Sequence, residues 1–559
     1  MMLKYDHYYT YNELVGAMKG LVEAHPDLAR LEVIGKSGEG RDLVAIIITN
    51  SKTGPDDSKP GYYIDGNHHA GECVGSMASL YTADYLLSNY GTNAQVTRLV
   101  DTCSFYIHPR VSPDGTEVYL TTPETMRSVP RYYPYLQWEE MDGLYPADVN
   151  GDGEILLMRV EDPNGEWKVS SKDKRAMAKR APDEVEGTFY RVYQEGFVRN
   201  YTGKPIKNAP LKWGLDLNRN YPAEWGPEVV QSGAGPYPLS EPETKAVADF
   251  VIAHPNICIA MTNHTTGGVL LAVPGSCPPS KIPQHDWAVL KALGKIGTQV
   301  TGYPCISIFE EFHAKSESWS HGAADDWLYL HRGIVAYTTE LWNLATRAGV
   351  KMWPRTEKDD EEQEDDFVKM LQWQDKELGG EGFVDWTPFD HPQLGKVEIG
   401  GWKSKFVVQN APPAFLPSEC AKISEWFVRT AEALPHLSIS EVNVEKAGEG
   451  AYVVSCLLAN TGYLPTYGTK KALELKLHLP LTIELCGEGI EVMGSAKQTL
   501  GQLEGRAASQ AQFWMGYFRG DSPTRETRVK WTVKAAPGAS GKITAKSARA
   551  GTAVAEFTI

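Results

Sequence analysis

The chain has 559 residues, 42% hydrophobic, 10% aromatic and 23% charged, which is enough apolar material and length for two or more domains. Its formal charge of -16 at pH 7 repels nucleic acid and anionic membranes at long range and so argues against both as partners. The 8 cysteines are scattered without CxxC spacing, which speaks against a disulfide scaffold or a thiolate metal site.

No apolar run reaches the roughly 18 residues that span a bilayer, and the opening MMLKYDHYYTYNELV lacks the basic-then-apolar order of a signal peptide. A cytoplasmic location with reduced thiols is the default expectation. Apolar residues at helical spacing predict a helix over Tyr11 to Ala24, closed by His25-Pro26. Strands are expected at Leu31 to Ile34, Leu43 to Thr49 and Tyr62 to Ile64, then a Gly-Asn loop and a helix over Gly75 to Leu87. Helices alternating with buried strands predict an α/β sandwich, a mixed twisted sheet flanked by helices.

Residues 132–210 turn polar and loop-rich and read as an insertion; residues 350–400, with the acidic run Glu357 to Asp366, read as a second one. That acidic run reads as a solvated loop or helix face. After a helix over Cys420 to Leu434, alternating runs (VNVEKAG, AYVVSCLLAN, LELKLHL, RVKWTVKAAPG, KITAKS, AVAEFTI) predict a C-terminal β-sandwich. The expected division is a catalytic domain over 1–436 and a β-sandwich accessory domain over 437–559.

Gly66-Asn67-His68-His69-Ala70-Gly71-Glu72 lies where a strand ends and a helix begins, the edge at which an α/β sheet offers side chains to a ligand. His69 and Glu72 can face one point there. His264, in CIAMTNHTTGG, ends another apolar strand, and two imidazoles with one carboxylate make the donor set of a catalytic zinc site. Alone, a His-x-x-Glu is weak evidence and a histidine such as His264 is more often a satisfied core or loop residue. Asp148, Asn150 and Asp152, in DVNGDG, match the first half of a calcium loop, but Arg159 stands where the closing Glu belongs; a turn whose side chains bond its own backbone explains the motif as well.

The order His-x-x-Glu, Ser-Pro-Asp-Gly, Asp-x-Asn-Arg-Asn, strand-end His and Thr-Glu-Leu resembles the zinc carboxypeptidase family typified by carboxypeptidase A (peptidase family M14), from about Tyr8 to His436. The resemblance implies a zinc-dependent metallocarboxypeptidase that hydrolyses the C-terminal peptide bond through a zinc-activated water, with one zinc per chain on His69, Glu72 and His264. Peptide or protein C-termini would be its substrates. Arg127 takes the place of the arginine that meets charge developing on the carbonyl oxygen. Asn218 and Arg219 match the pair that receives the terminal carboxylate, which a guanidinium binds through two parallel hydrogen bonds. Asp216 matches the acid that orients a zinc-bound histidine, here His69, and Glu340 in AYTTELW matches the general base.

The match has gaps. Ser112 replaces an asparagine, Gly71 an arginine, and Ser318 stands at the place of a mobile tyrosine. Asp325 falls at the position that sets side-chain preference, where an acid selects Lys or Arg; the bland alternative is a surface or structural aspartate. Two other functions stay open: a peptidoglycan or γ-glutamyl amidase on the same zinc site, and a non-catalytic binding protein using the β-sandwich for recognition.

Overall fold

The computed structural model describes residues 3–134, 141–203, 205–313, 319–508, 512–514, 517–519 and 523–559. The apolar runs of the first part assemble into an eight-stranded mixed sheet. Its spatial order is Ala29–Lys36, Asp42–Ile48, Ser104–His108, Gly61–Gly66, Ile257–Thr265, Val335–Leu341, Val269–Ala272 and Cys305–Ser307. Gly61–Gly66, Ile257–Thr265 and Val335–Leu341 are parallel neighbours, so their C-terminal ends lie along one edge. All three are buried on both faces, which is why they read as continuous apolar runs rather than alternating ones.

Helices flank this sheet. Cys73–Asn89 is apolar nearly all round because it is enclosed by the sheet and by helix Leu416–Ala431. Its glycine is a fitting requirement: a Cβ on Gly75 would sit 2.6 Å from the Asn263 carbonyl oxygen, so the helix rests directly on the strand that leads to His264. The helix predicted from Cys420 starts earlier, at Leu416, because Pro417 is tolerated in its first turn.

The segment 132–210 is more ordered than its composition suggests. It holds six short strands, four of which join Phe383–His391 and Gly395–Trp402 in one sheet, ordered Phe383–His391, Gly395–Trp402, Leu157–Glu161, Tyr190–Gln194, Trp167–Val169, Met177–Lys179. These strands are three to nine residues long and mostly half-buried, so no clean apolar period announces them. The acidic run enters helix Asp360–Glu377, with Asp359 as its cap and charged residues outward.

The C-terminal part is all β. One sheet runs Leu437–Gly448, Ala451–Asn460, Glu526–Ala535, Ile490–Val492; the other runs Lys497–Leu500, Leu481–Gly487, Ser540–Ser547, Gly551–Thr558. Val454, Cys456, Leu458, Val529, Trp531 and Val533 of the first sheet share one buried cluster with Ile483, Leu485, Ile543 and Ala545 of the second. The strand expected at LELKLHL is corrected: Lys470–Glu474 is a short helix, and the strand is Leu481–Gly487, after Pro480. Thr469 caps that helix, and Asp286 of the first part accepts from the backbone N–H groups of Lys470 and Lys471 at 2.8 and 2.9 Å. These local hydrogen bonds outweigh the alternating leucines. Arg549 ties the same two parts together by donating to the Gly333 and Arg332 carbonyls at 2.7 Å each. Among the described residues no helix is long and apolar enough to cross a membrane.

Candidate metal centre

Three loop or strand ends build the site. Gly61–Gly66 stops at Asn67, which takes φ +66°, a left-handed turn that asparagine tolerates, and donates its side-chain amide to the carbonyls of His69 and Ala70 at 2.7 and 3.2 Å. The turn brings His69 and Glu72 back over the sheet edge, just ahead of helix Cys73–Asn89. His264 arrives at the end of the neighbouring strand, directly opposite Glu340 in the parallel register with Val335–Leu341.

His69, Glu72 and His264 are 4%, 3% and 1% exposed, and one donor atom from each lies within 4.8 Å of the others. His69 Nδ1 faces Glu72 Oε1 at 2.9 Å, His264 Nδ1 faces Glu72 Oε2 at 2.9 Å, and the two Nδ1 atoms are 3.1 Å apart. Two ring nitrogens that close cannot satisfy each other as well as the carboxylate unless positive charge sits among them. His69 Nε2 is already committed to Asp216 Oδ1 at 3.0 Å, so a neutral His69 keeps its proton there and turns a bare Nδ1 toward Glu72. A cation resolves that conflict, and two imidazoles with a carboxylate are the ligands zinc takes in catalytic sites. The residues fit the ion.

The charges respond accordingly. Burial works against ionising Glu72, but His69 and His264 outweigh it and hold the carboxyl well below the usual range. Burial and Arg127 push His69 down; Glu72 and Asp216 reverse this and leave it raised. Asp216 is likewise held low despite burial, chiefly by Arg127 and His69. Glu340 goes the other way: burial first, then repulsion from Glu72, lift it well above an ordinary carboxyl, with Arg127 opposing.

Around the trio, Arg127 donates from Nε to Asp216 Oδ2 at 2.9 Å and brings Nη1 to 3.5 Å from Glu72 Oε1, while its side chain stays 43% exposed. Asn218 is fixed by accepting from the Ala324 N–H at 2.8 Å, and Arg219 donates to the Asn218 carbonyl at 2.6 Å. Neither pairs with a carboxylate among the described residues. Asp325 is buried at the start of helix Ala324–Leu330, where its Oδ2 accepts from Thr338 Oγ1 at 2.6 Å and its Oδ1 from the Asp326 N–H at 2.8 Å. It is therefore not a surface residue.

The Asp148, Asn150 and Asp152 loop does not join this cluster. Asp148 accepts from the N–H groups of Gly151, Asp152 and Gly153 at 2.7, 3.2 and 2.9 Å, and Asn150 donates to Asp152 at 2.9 Å. Its oxygens serve its own backbone, and no calcium is assigned. Ser318 lies outside the described residues. Sequence reading did not single out His68, whose Nε2 meets Tyr221 Oη at 2.9 Å behind the trio, although it adjoins a motif that could have flagged it.

A family model described as zinc carboxypeptidase matches residues 14–367, and one described as a domain of unknown function matches residues 436–558. Over 323 residues the chain is 23% identical to carboxypeptidase A2 of Rattus norvegicus, covering 57% of this chain and 60% of that protein. Over 130 residues it is 31% identical to carboxypeptidase D of Drosophila melanogaster, covering 23% of this chain and 9% of that protein. The chain thus spans less than two thirds of the length of either relative. The crystal structure of carboxypeptidase A from Helicoverpa armigera superposes with a TM-score of 0.41 at 18% identity, covering 67% of this chain and 74% of that one. With the model match extending over more than half of its length, the chain belongs to the zinc carboxypeptidase family.

Proposed function

We propose that this protein is a zinc-dependent carboxypeptidase that cleaves the last bond of a peptide with a free C-terminus, preferring a basic final residue. The observation that carries the reading is that Asn218 and Arg219, without a carboxylate partner among the described residues, follow directly on Asp216, whose Oδ1 lies 3.0 Å from Nε2 of the metal-facing His69. A metal trio alone suits many hydrolases; a guanidinium without an acidic partner beside it suits one that demands a terminal carboxylate.

His69, Glu72 and His264 would hold the zinc. Bound there, the ion supplies Lewis-acid chemistry, lowering the pKa of water and polarising a carbonyl. Arg219 and Asn218 fix the terminal carboxylate, which places the last peptide bond over the site. Glu340, whose proton affinity is raised by burial and by Glu72, takes a proton from the attacking water and returns it to the departing amine. Arg127, held on one side by Asp216, meets negative charge as it develops on the carbonyl oxygen.

Asp325 supports the basic preference. It is buried, accepts only from neutral donors, and has no cation against it among the described residues, so a substrate ammonium or guanidinium would complete it. The test is digestion of a C-terminal peptide library, as free acids and as amides, by zinc-loaded wild type and by Glu340→Gln. Free acids cut, amides untouched and an inactive variant are expected, with C-terminal Lys or Arg fastest. Equal cleavage of amides would overturn the exopeptidase reading, and Phe as the best final residue would overturn the preference.

A further inference from the structure

We propose that the C-terminal β-sandwich takes part in substrate recognition: its Arg549 is a positioning residue that clamps one end of the helix whose other end carries Asp325 and anchors Asn218. This rests on the reading of Asn218 and Asp325 as substrate contacts and gives the β-sandwich a task within it.

Helix Ala324–Leu330 has only 7 residues, and its first turn serves the site. The Ala324 N–H donates to Asn218 Oδ1 at 2.8 Å, and Thr338 Oγ1 holds Asp325 at 2.6 Å. Just past the other end the chain turns at Gly333, with φ +59°. There the β-sandwich takes hold of the backbone. Arg549 donates from Nη2 to the Arg332 carbonyl and from Nη1 to the Gly333 carbonyl, at 2.7 Å each, and Thr469 Oγ1 donates to the Gly333 carbonyl at 2.8 Å. A Cβ on Gly333 would sit 2.6 Å from Ala472 Cα, so the short helix Lys470–Glu474 is pressed directly against the turn. A second tie reaches the body of the same helix. Tyr329 Oη donates to Asp286 Oδ2 at 3.1 Å, and the carboxylate of Asp286, 2% exposed, also accepts from the N–H groups of Lys470 and Lys471 at 2.8 and 2.9 Å.

Cohesion alone does not account for this contact. Arg549 is buried, and among the described residues it meets carbonyls, those of Arg332, Gly333 and Tyr467, with no carboxylate to balance it. A buried cation without a counter-charge is a costly way to join two parts of a chain, because apolar side chains of similar volume do so without desolvating an ion. What the guanidinium adds is direction. Its planar fork meets two successive carbonyls at once and so fixes both the distance and the angle of the turn. The helix between that turn and Asp325 is a short rigid lever, roughly 10 Å long at 1.5 Å per residue. Recognition of a charged group needs its partners held to about 0.5 Å, so slack at the Gly333 end would be felt at Asp325 and Asn218.

The test separates this role from a merely structural one. In the full-length Glu340→Gln protein, calorimetry measures binding of a peptide ending in Lys, as free acid, with and without Arg549→Met, which keeps the apolar stem and loses the donors. Affinity is expected to fall roughly tenfold while zinc content is unchanged, and Arg549→Lys, which regains a donor, is expected to recover part of the loss. Val454→Ala, in the buried core of the β-sandwich and away from the helix, should lower the melting temperature yet leave affinity within twofold. In the active enzyme Arg549→Met should raise KM roughly tenfold with kcat nearly constant. Unchanged affinity in a folded Arg549→Met protein overturns the proposal, as does an equal loss in Val454→Ala, which would make instability the cause. Should Arg549→Met not fold, Thr469→Val removes the remaining side-chain donor to Gly333 at equal size; a smaller loss in the same direction is expected, and no loss overturns the proposal. If affinity depends on Arg549 yet the zinc-loaded wild type hydrolyses nothing, the proposal stands and the catalytic reading falls; if hydrolysis is normal and affinity ignores Arg549, the reverse holds.

Discussion

His69 Nε2 lies 3.0 Å from Asp216 Oδ1, and the other oxygen of the same carboxylate receives Arg127 Nε at 2.9 Å. One buried acid thus fixes the tautomer of a metal-facing imidazole and the pose of the guanidinium beside it. Asp216→Asn keeps an acceptor for His69 but loses the charge that supports both neighbours. Zinc affinity, measured by competition with a chromophoric chelator, should fall about 10- to 100-fold, and hydrolysis at saturating zinc should fall as well because Arg127 is released. Zinc affinity equal to wild type would show that Asp216 does not support the centre.

Glu340 forms no hydrogen bond with the described residues, and its partner in the sheet register is His264. A side chain held that way, proposed above as the base, can be removed without disturbing the ligands. Glu340→Gln should lower kcat by about 10²- to 10⁴-fold while zinc content and free-acid peptide affinity remain within twofold of wild type. Loss of zinc in the variant would instead mean that Glu340 helps to build the centre.

How far the sequence carried this picture differs from one residue to the next. The strands Asp42–Ile48, Gly61–Gly66 and Ile257–Thr265 and the helix Tyr11–Ala24 were legible because burial on one or both faces leaves a strong apolar pattern, whereas Ser104–His108, Val269–Ala272 and Cys305–Ser307 were not singled out. The proximity of His69 and Glu72 to His264 was suggested by their places at strand ends and made specific only by the resemblance, since no spacing brings residue 264 to residue 69; the parallel register of Gly61–Gly66 with Ile257–Thr265 does that. The sheet shared by 157–194 and 383–402 was not legible, because strands distant in sequence complete each other and none is apolar enough alone. LELKLHL misled because alternating leucines satisfy a strand pattern, whereas Thr469 and Asp286 supply the caps that make part of it helical.

Gly71, where the family resemblance leads one to expect an arginine, has a steric explanation. A Cβ there would lie 2.8 Å from the Gln409 side-chain amide and 2.8 Å from Tyr119 Cε2. The segment bearing Gln409 is clamped in place, as Asn410 donates to the Gly71 carbonyl at 2.7 Å and accepts from the Val74 N–H at 3.0 Å. The volume an arginine would need is filled by the chain itself. Gly71→Ala should destabilise the fold by about 1–3 kcal/mol in denaturant titrations, and adding Gln409→Ala should restore part of that while the Tyr119 clash persists. A neutral Gly71→Ala would mean that the segment yields freely and that sterics do not explain the glycine.

His108 ends the strand Ser104–His108, fully buried, with Nδ1 facing the Val44 carbonyl at 2.9 Å and Nε2 unpartnered. Burial pushes its pKa down to about 4 from the usual 6.5, although the Val44 hydrogen bond opposes this. Above pH 6.5 the ring is neutral folded or unfolded, so it contributes no pH dependence. Between 6.5 and about 4 the unfolded chain binds a proton that the native chain refuses, so stability rises with pH across that window and is lost as pH falls through it. The full loss is on the order of 3 kcal/mol for a shift of this size. Replacing the ring by His108→Gln keeps a donor for Val44 and removes the titration. In metal-free protein, where release of the ion at low pH does not enter, the stability gap between variant and wild type should move in the variant's favour from pH 7 to pH 4.5. Parallel stability curves for the two proteins over that range would show that His108 accepts its proton inside the fold.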